Sequence, residues 1–503
     1  MISEYLPASL RPYGAMIDSV FELTLWLIAA MALPGQAKLL LYGLAGVMAL
    51  MGTPFRALQM LMVQLLLAHF NPTLTGYGGS GGIHLLVPVL VLLKMLFVSE
   101  YRSAFVAERP LMLVLACAPV FIAFQWSSST YPILSVSKAV LFFIYVPLSV
   151  FLCKWSFRTM RSRVVQWYLG AVVFLIGTNL ALLPTPNGYF LNGSGFNGIL
   201  LHPNALGAFL GIGLAYLLAQ LLATRRINGW FAAVGCAGVV ELYLTQSRGG
   251  LFSCLFALAI YCFVKLSQGS TISQRILPRV GMVLLAVVAL ILTNPSAFLE
   301  RVQSFVGKAQ IDETNSKDIF QSARGAAMDL HMDLFREKPW TGHGFQVVNA
   351  WTEKGFAVKA NDPCGGLIDE AVIKYDPITG KIPISAPVES GFMYTSILAE
   401  NGIIGGALAY GVLLAILLPI LLGPKHPEFV LLIAVLFSNM GEAVLFSPSG
   451  IGGWCWLMVG LAYASATSPR DRQVPALRKA RSGRHAITKQ KAAGVEAARV
   501  NFI

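Results

Sequence analysis

Charge is what this chain has least of. Only 12% of its 503 residues are Asp, Glu, Lys or Arg, while 56% are hydrophobic and the mean hydropathy is +0.67. Soluble chains run at roughly a quarter charged, so the deficit argues against a soluble globular domain and for a membrane protein. Acid is scarcer than base, 24 Asp and Glu against 37 Lys and Arg, for a formal net charge of +13. Cysteine is thin as well. Of seven, all but Cys364 stand in apolar stretches, so no disulfide can form within the long polar segment described below. No secretory leader is expected at the start. Residues 1–18 carry Glu4, Arg11 and Asp18 and no small-residue cleavage site, so the first apolar segment is expected to stay as an anchor.

What is present is a series of long apolar runs. A spanning helix takes about 20 mostly apolar residues. Fourteen candidates follow, near 19–34, 37–53, 57–70, 83–98, 110–126, 137–153, 164–183, 200–223, 228–246, 250–267, 278–296, 402–422, 427–446 and 451–467. The expected fold is all-α and polytopic, with 12–14 transmembrane helices. One alternate set of connections holds Arg56, Arg102 and Arg109, the stretch Lys154 to Arg163, Arg225 and Arg226, Arg275 and Arg279, and Lys425. The other set holds little beyond Lys38 and Lys138. The basic set is read as cytoplasmic, together with both termini. The tail RKARSGRHAITKQKAA, rich in charge and poor in aromatics, is expected to lie disordered against anionic headgroups. It and the basic connections account for the net charge, so no nucleic-acid partner is expected.

One long segment is too polar for the bilayer. The chain divides into helices over 1–299, a large external loop over 300–401, three more helices over 402–467, and the basic tail 468–503. Within the loop, 321–338 has the period of an amphipathic helix ending at Lys338-Pro339. Arg324 falls in its first turn, where a cation does not favour the helix dipole and is better explained by another partner. TGHGF follows, with His343 in its Gly-x-Gly turn as a candidate base or ligand. In the spans, polar residues collect toward the loop's side. Glu241 and Arg248 lie seven apart, about two turns, and share a face. Gln246 stands beside Arg248, and His202 and Asn204 open the helix 200–223. Each alone fits an interfacial anchor equally well. Their convergence points to a site open to one face, since charge at the bilayer centre costs roughly 2.5–3.5 kcal/mol on insertion scales. In TQSRGGLFS, Arg248 offers a rigid fork of donors suited to phosphate, beside two glycines that permit close approach.

TQSRGGLFS after an apolar helix, HPNALGAFL opening one, Arg324 leading to PWTGHGF, and ESGFMYTSILAENGIIGG returning to the membrane occur in an order that resembles the O-antigen ligase and polymerase family. That family includes exopolysaccharide polymerases. The likeness runs over about 195–410. It implies an all-helical membrane glycosyltransferase resembling the GT-C type, working at the periplasmic face of the bacterial inner membrane. The implied partners are a polyprenyl-pyrophosphate-linked glycan donor, a glycan acceptor, the bilayer and other polysaccharide-assembly proteins; no metal or cofactor is implied. By the resemblance, Arg248 and Arg324 grip the carrier's pyrophosphate. Many ligases carry a His-Asn pair where this chain has Glu389-Ser390, so the base role would fall to Glu389 and the balance moves toward a polymerase. A ligase is the alternative. A flippase or other transporter is the competing reading of another class, with no repeat halves in the sequence to favour it.

The charge pattern makes a topological prediction. A tag near residue 360 should be labelled from outside the cell and one after 480 only from inside; the opposite pattern overturns the orientation.

Overall fold

The computed structural model describes residues 13–33, 35–75, 85–129, 132–189, 195–224, 229–268, 326–346, 393–441, 445–446 and 451–468. The tail from Thr467 forms a separate unit from Met1–Ala466. Among the described residues there is no strand, only the isolated bridges Phe70–Leu200 and Tyr189–Phe196. The helices in order are α1 (Gly14–Ala32), α2 (Leu39–Met51), α3 (Pro54–His69), the single turn α4 (Pro72–Thr75), α5 (Leu86–Phe97), α6 (Ser99–Val106), α7 (Arg109–Ser128), α8 (Pro132–Leu182), α9 (Pro203–Ala223), α10 (Gly229–Leu244), α11 (Arg248–Ser267), α12 (Ala326–Glu337), α13 (Met393–Leu422), α14 (Phe429–Gly441) and α15 (Ile451–Thr467). Six of them, α1, α7, α8, α9, α11 and α13, are long and apolar enough to cross a membrane, and α2, α5, α10 and α14 are shorter apolar helices. The chain is an all-α polytopic membrane protein.

The expected runs 137–153 and 164–183 are the two halves of α8, which are separate helices meeting at the non-helical backbone of Met160. The chain folds back there, so that Cys153 Sγ lies 3.3 Å from Tyr168 Oη. The basic stretch Lys154 to Arg163 stands at the junction. Helix already begins at Met393, and α13 breaks at Gly402, so a short helical segment leads into the expected span 402–422. The expected span 278–296 lies outside the described residues.

Two helices form the centre. Every residue of α9 from Ala205 to Leu217 is buried, and every residue of α15 from Ile451 to Ser465. A helix apolar on all sides belongs inside a bundle. The outer helices instead show apolar side chains outward, Phe97 at 82% exposure and Leu422 at 78%. In water such a surface would drive association; here it is the face for lipid.

The basic end of the bundle is less bare of acid than the sequence suggests. Beside Glu22, which pairs with Arg56 at 2.5 Å, Glu108 pairs with Lys154 at 2.5 Å. Glu428, 3% exposed, accepts hydrogen bonds from Ser465 at 2.9 Å, Tyr216 at 3.4 Å and Gln220 at 3.5 Å. Each of these carboxylates ties neighbouring helices together, as a buried acid must find hydrogen-bonding partners.

Where α9 and α11 cross, their backbones touch. A Cβ on Gly207 would fall 2.2 Å from the Ser247 side chain, and one on Gly250 would fall 2.2 Å from the Gly207 carbonyl oxygen. Small residues four apart, Gly207 and Gly211, admit this approach. Gly207→Ala should therefore part the two helices and cost about 1–3 kcal/mol of stability, the usual range for overpacking. Gly177→Ala, where the space is open, should be neutral. Thermal unfolding of the two purified variants checks the contrast, and equal stability would remove the seam from the account.

Candidate functional site

The site lies at the end of the bundle opposite the Glu22–Arg56 and Glu108–Lys154 pairs, where α9 and α11 begin and α7 ends. The α10–α11 turn is held from several directions. Thr245 Oγ1 accepts from the Ser247 amide at 3.1 Å, and Ser247 caps α11 by accepting from the Gly250 amide at 3.3 Å. Phe196 N–H donates to the Leu244 carbonyl at 3.0 Å, and Gly195, at φ +144, packs where a Cβ would meet the Thr245 carbonyl. Gln246 between them takes φ 54. Left-handed backbone in a non-glycine residue is uncommon and is found preferentially at functional turns. Arg248 thus becomes the first residue of a 20-residue helix, half-buried, beside the helix's N-terminal amides. A helix N-terminus with an adjacent guanidinium suits an anion.

Behind this turn sits Glu241, with no exposed surface. Its Oε2 accepts from Asn179 Nδ2 at 3.4 Å, and Asn179 Oδ1 accepts from the Ile199 amide at 2.9 Å. Glu241 therefore braces the 195–200 loop under Arg248; its Oε1 has no partner among the described residues. His202 is the N-cap of α9, its Nδ1 accepting from the Asn204 amide at 3.1 Å. Both residues are half-buried at the same end.

The second half of the site is a lock between the Pro339–Gln346 turn and the break in α13. The Gly344 amide donates to the Glu400 carbonyl at 2.6 Å and the His343 amide to Ala399 at 3.2 Å. In return Ile403 N–H donates to Pro339 at 2.8 Å and Ile404 N–H to Trp340 at 3.2 Å. Gly342 and Gly402 both have φ near +60, and each lies where a Cβ would strike the other strand's backbone. Side chains extend the lock. The Gln125 amide donates to Asn401 Oδ1 at 2.8 Å and its oxygen accepts from the Phe345 amide at 2.8 Å. Lys138 Nζ donates to the Gln346 carbonyl at 2.7 Å, while Glu400 Oε2 accepts from the Gln346 amide at 2.9 Å. Opposite charges thus grip one peptide, and Gln346 too has positive φ, 55.

His343 belongs to this lock. It is buried, its Nε2 lies 3.1 Å from the Leu334 carbonyl, and Glu337 stands 3.7 Å away. Arg324 and Glu389 lie outside the described residues. Gln125 is legible in the sequence as a polar residue near the end of an apolar helix, whereas Ser135, whose hydroxyl donates to Gln125 Oε1 at 3.0 Å, has no local signal. Lys138 reads from the sequence as a charge in a connection, and Glu400 as part of ENGIIGG. Tyr394 Oη donates to the Leu436 carbonyl at 3.4 Å, and Phe256 stacks on Phe437 at 5.0 Å, so α14 lies between α11 and α13. The Arg248 turn and the α13 lock share one end of the bundle.

A helical membrane protein with a polar segment locked back onto a broken helix at one end is the class these features define. Residues 231–410 match the family described as O-antigen ligase, in line with the resemblance carried by the order of the motifs. The match takes in Glu241, Gln246, Arg248, Arg324, His343, Glu389 and the break at Gly402. The O-antigen ligase family implies a glycosyltransferase-like membrane enzyme of glycan ligation or polymerisation. No curated protein matches the chain.

His331, on α12, shows how the loop packs on α13. It is 1% exposed, with Nδ1 2.8 Å from Thr395 Oγ1, and burial lowers its pKa to about 4. The folded chain keeps this ring neutral, whereas the unfolded chain takes up a proton near pH 6.5. Its stabilising contribution is complete above pH 6.5 and declines as pH falls toward 4. The unfolding temperature should drop between pH 7 and 5, and His331→Leu should shrink that drop; an equal drop in both proteins would exclude His331 as its source.

Proposed function

We propose that this protein transfers a glycan from a polyprenyl pyrophosphate to a sugar hydroxyl at the periplasmic face of the bacterial inner membrane, with both termini in the cytoplasm, and that it polymerises exopolysaccharide or O-antigen units. The observation that carries the reading is Arg248 as the first residue of α11, seated by the glycine seam at the end of the bundle where the polar segment docks. The acceptor oxygen attacks the anomeric carbon, the bond to the pyrophosphate breaks, and the pyrophosphate leaves with the electron pair. Arg248, the α11 amides and Arg324 face charge that grows in the transition state, so they stabilise it more than the ground state. Glu389 takes the hydroxyl proton. Gln246, His202 and Asn204 border the donor, Glu241 positions the Arg248 turn from behind, and His343 positions the loop. No cofactor or metal enters this reading.

A polymerase is favoured over a ligase because Glu389-Ser390 replaces the His-Asn pair of many ligases. Deleting the gene separates the two, since a polymerase loss leaves single repeat units and a ligase loss leaves long chains on the carrier. Arg248→Lys keeps the charge but removes the parallel pair of donors. Turnover should fall about 10²–10³-fold, in line with loss of one oxyanion donor. Near-normal polymer from a normally inserted Lys variant sinks the phosphate role. Glu389→Gln should cut turnover while leaving donor affinity unchanged; weakened affinity instead would assign Glu389 to holding the loop.

A further inference from the structure

At the other end of the bundle, far from the Arg248 turn, a cavity of about 290 Å3 opens between the end of α6, the start of α7 and the first half of α8 just before its break, lined in part by Ala104, Ala107, Glu108, Lys154, Trp155 and Arg158. Its position follows from the break at Met160, which ends the first half of α8 just beyond Arg158 and Thr159. The cations in it are not equivalent. Lys154 is held by Glu108 at 2.5 Å and lies 5.4 Å over the Tyr463 ring. Arg158 is exposed and has no ion pair, hydrogen bond or ring contact among the described residues. With one acid and two bases, the lining has one positive charge in excess, and its free donors belong to Arg158.

Other walls of the cavity are of a different kind. Trp155 is fixed edge-on against Tyr101 at 4.4 Å and Phe151 at 5.2 Å. Ala104 and Ala107 leave the space open where larger residues would fill it. Beside the mouth, Val106 and Leu113 show apolar side chains outward at 55% and 57% exposure. A polar cup with an unpaired guanidinium, a fixed indole and an apolar apron matches a phosphodiester headgroup whose acyl chains run down the outside of the bundle. The volume is near the lower limit of ligand pockets, roughly 300 Å3, which suits a headgroup and not a whole lipid.

We infer that this cavity is a binding site for the headgroup of an anionic glycerophospholipid, with Arg158 as its phosphate ligand and Lys154 and Trp155 as its fixed walls. Basic pockets between helices at the cytoplasmic surface take such headgroups in membrane proteins generally. The site is separate from the glycan chemistry, and its occupant is structural or regulatory lipid, not donor.

Native mass spectrometry of the detergent-solubilised full chain, titrated with phosphatidylglycerol or phosphatidylcholine, tests it. The wild type should retain phosphatidylglycerol in preference. Arg158→Glu should lower its occupancy by about tenfold, a loss of the size expected for a charge-assisted hydrogen bond. Ala107→Leu, which fills the cavity without touching charge, should lower it too. Arg163→Glu changes charge equally on an exposed residue outside the lining and should leave occupancy within about twofold. Equal losses for Arg158→Glu and Arg163→Glu would mean diffuse attraction to a basic surface and overturn the site. So would the absence of a preference for phosphatidylglycerol, or displacement of the lipid by inorganic phosphate at matched concentration, which would assign the cup to a free anion.

Discussion

The break in α13 at Gly402 imposes the condition that the rest of the site meets. Breaking a helix frees carbonyls on one side and amides on the other, and at the edge of a bilayer water is a poor remedy for either. Here the Pro339–Gly344 turn supplies both kinds of partner, amides for Ala399 and Glu400 and carbonyls for Ile403 and Ile404. Two glycines of positive φ let the strands meet, and a Cβ at either would strike backbone. The polar segment is therefore bound to the membrane bundle by main-chain hydrogen bonds, with Gln125, Ser135, Lys138 and Glu400 closing the remaining valences. A loop fixed in this way can hold catalytic groups at a set height above the bilayer.

The Arg248 turn rests on a different device. Its geometry depends on close approach of α9 and α11 through Gly207, Gly211 and Gly250, and on a buried carboxylate braced through Asn179. Neither feature touches the surface where a donor would lie. Both determine where a guanidinium and a set of helix amides point, which is what stabilising a leaving pyrophosphate requires. Strained backbone at Gln246 and Gln346 stands beside each half of the site. Such strain persists only where the surroundings over-determine it.

The two ends of the bundle are chemically distinct. At one, polar groups secure a docked segment and present Arg248. At the other, Glu22, Glu108 and Glu428 are each tied to partners on neighbouring helices, and Arg158 is left unmatched beside a cavity. The acidic residues at the basic end are fasteners between neighbouring helices, so their presence there does not describe a polar path across the membrane.

Hydropathy and charge content are local quantities, and from them alone the all-α membrane class, most of the spans and the difference between the two ends were legible. The motif order also brought out TQSRGG and ENGIIGG as the stretches where the chain departs from plain helix. What each polar residue does was not legible. Glu241 reads as a helix-face partner of Arg248 and proves to be a buried brace; His343 reads as a turn histidine and proves to be buried against Leu334. Gln125 is marked locally only as a polar residue near the end of an apolar helix, and what it does depends on Asn401, 276 residues away. The pairing of Lys154, in the basic stretch between two spans, with Glu108 on a neighbouring helix is of the same kind. Burial and hydrogen-bond partnership arise from contacts between distant segments, and only the packed bundle decides them.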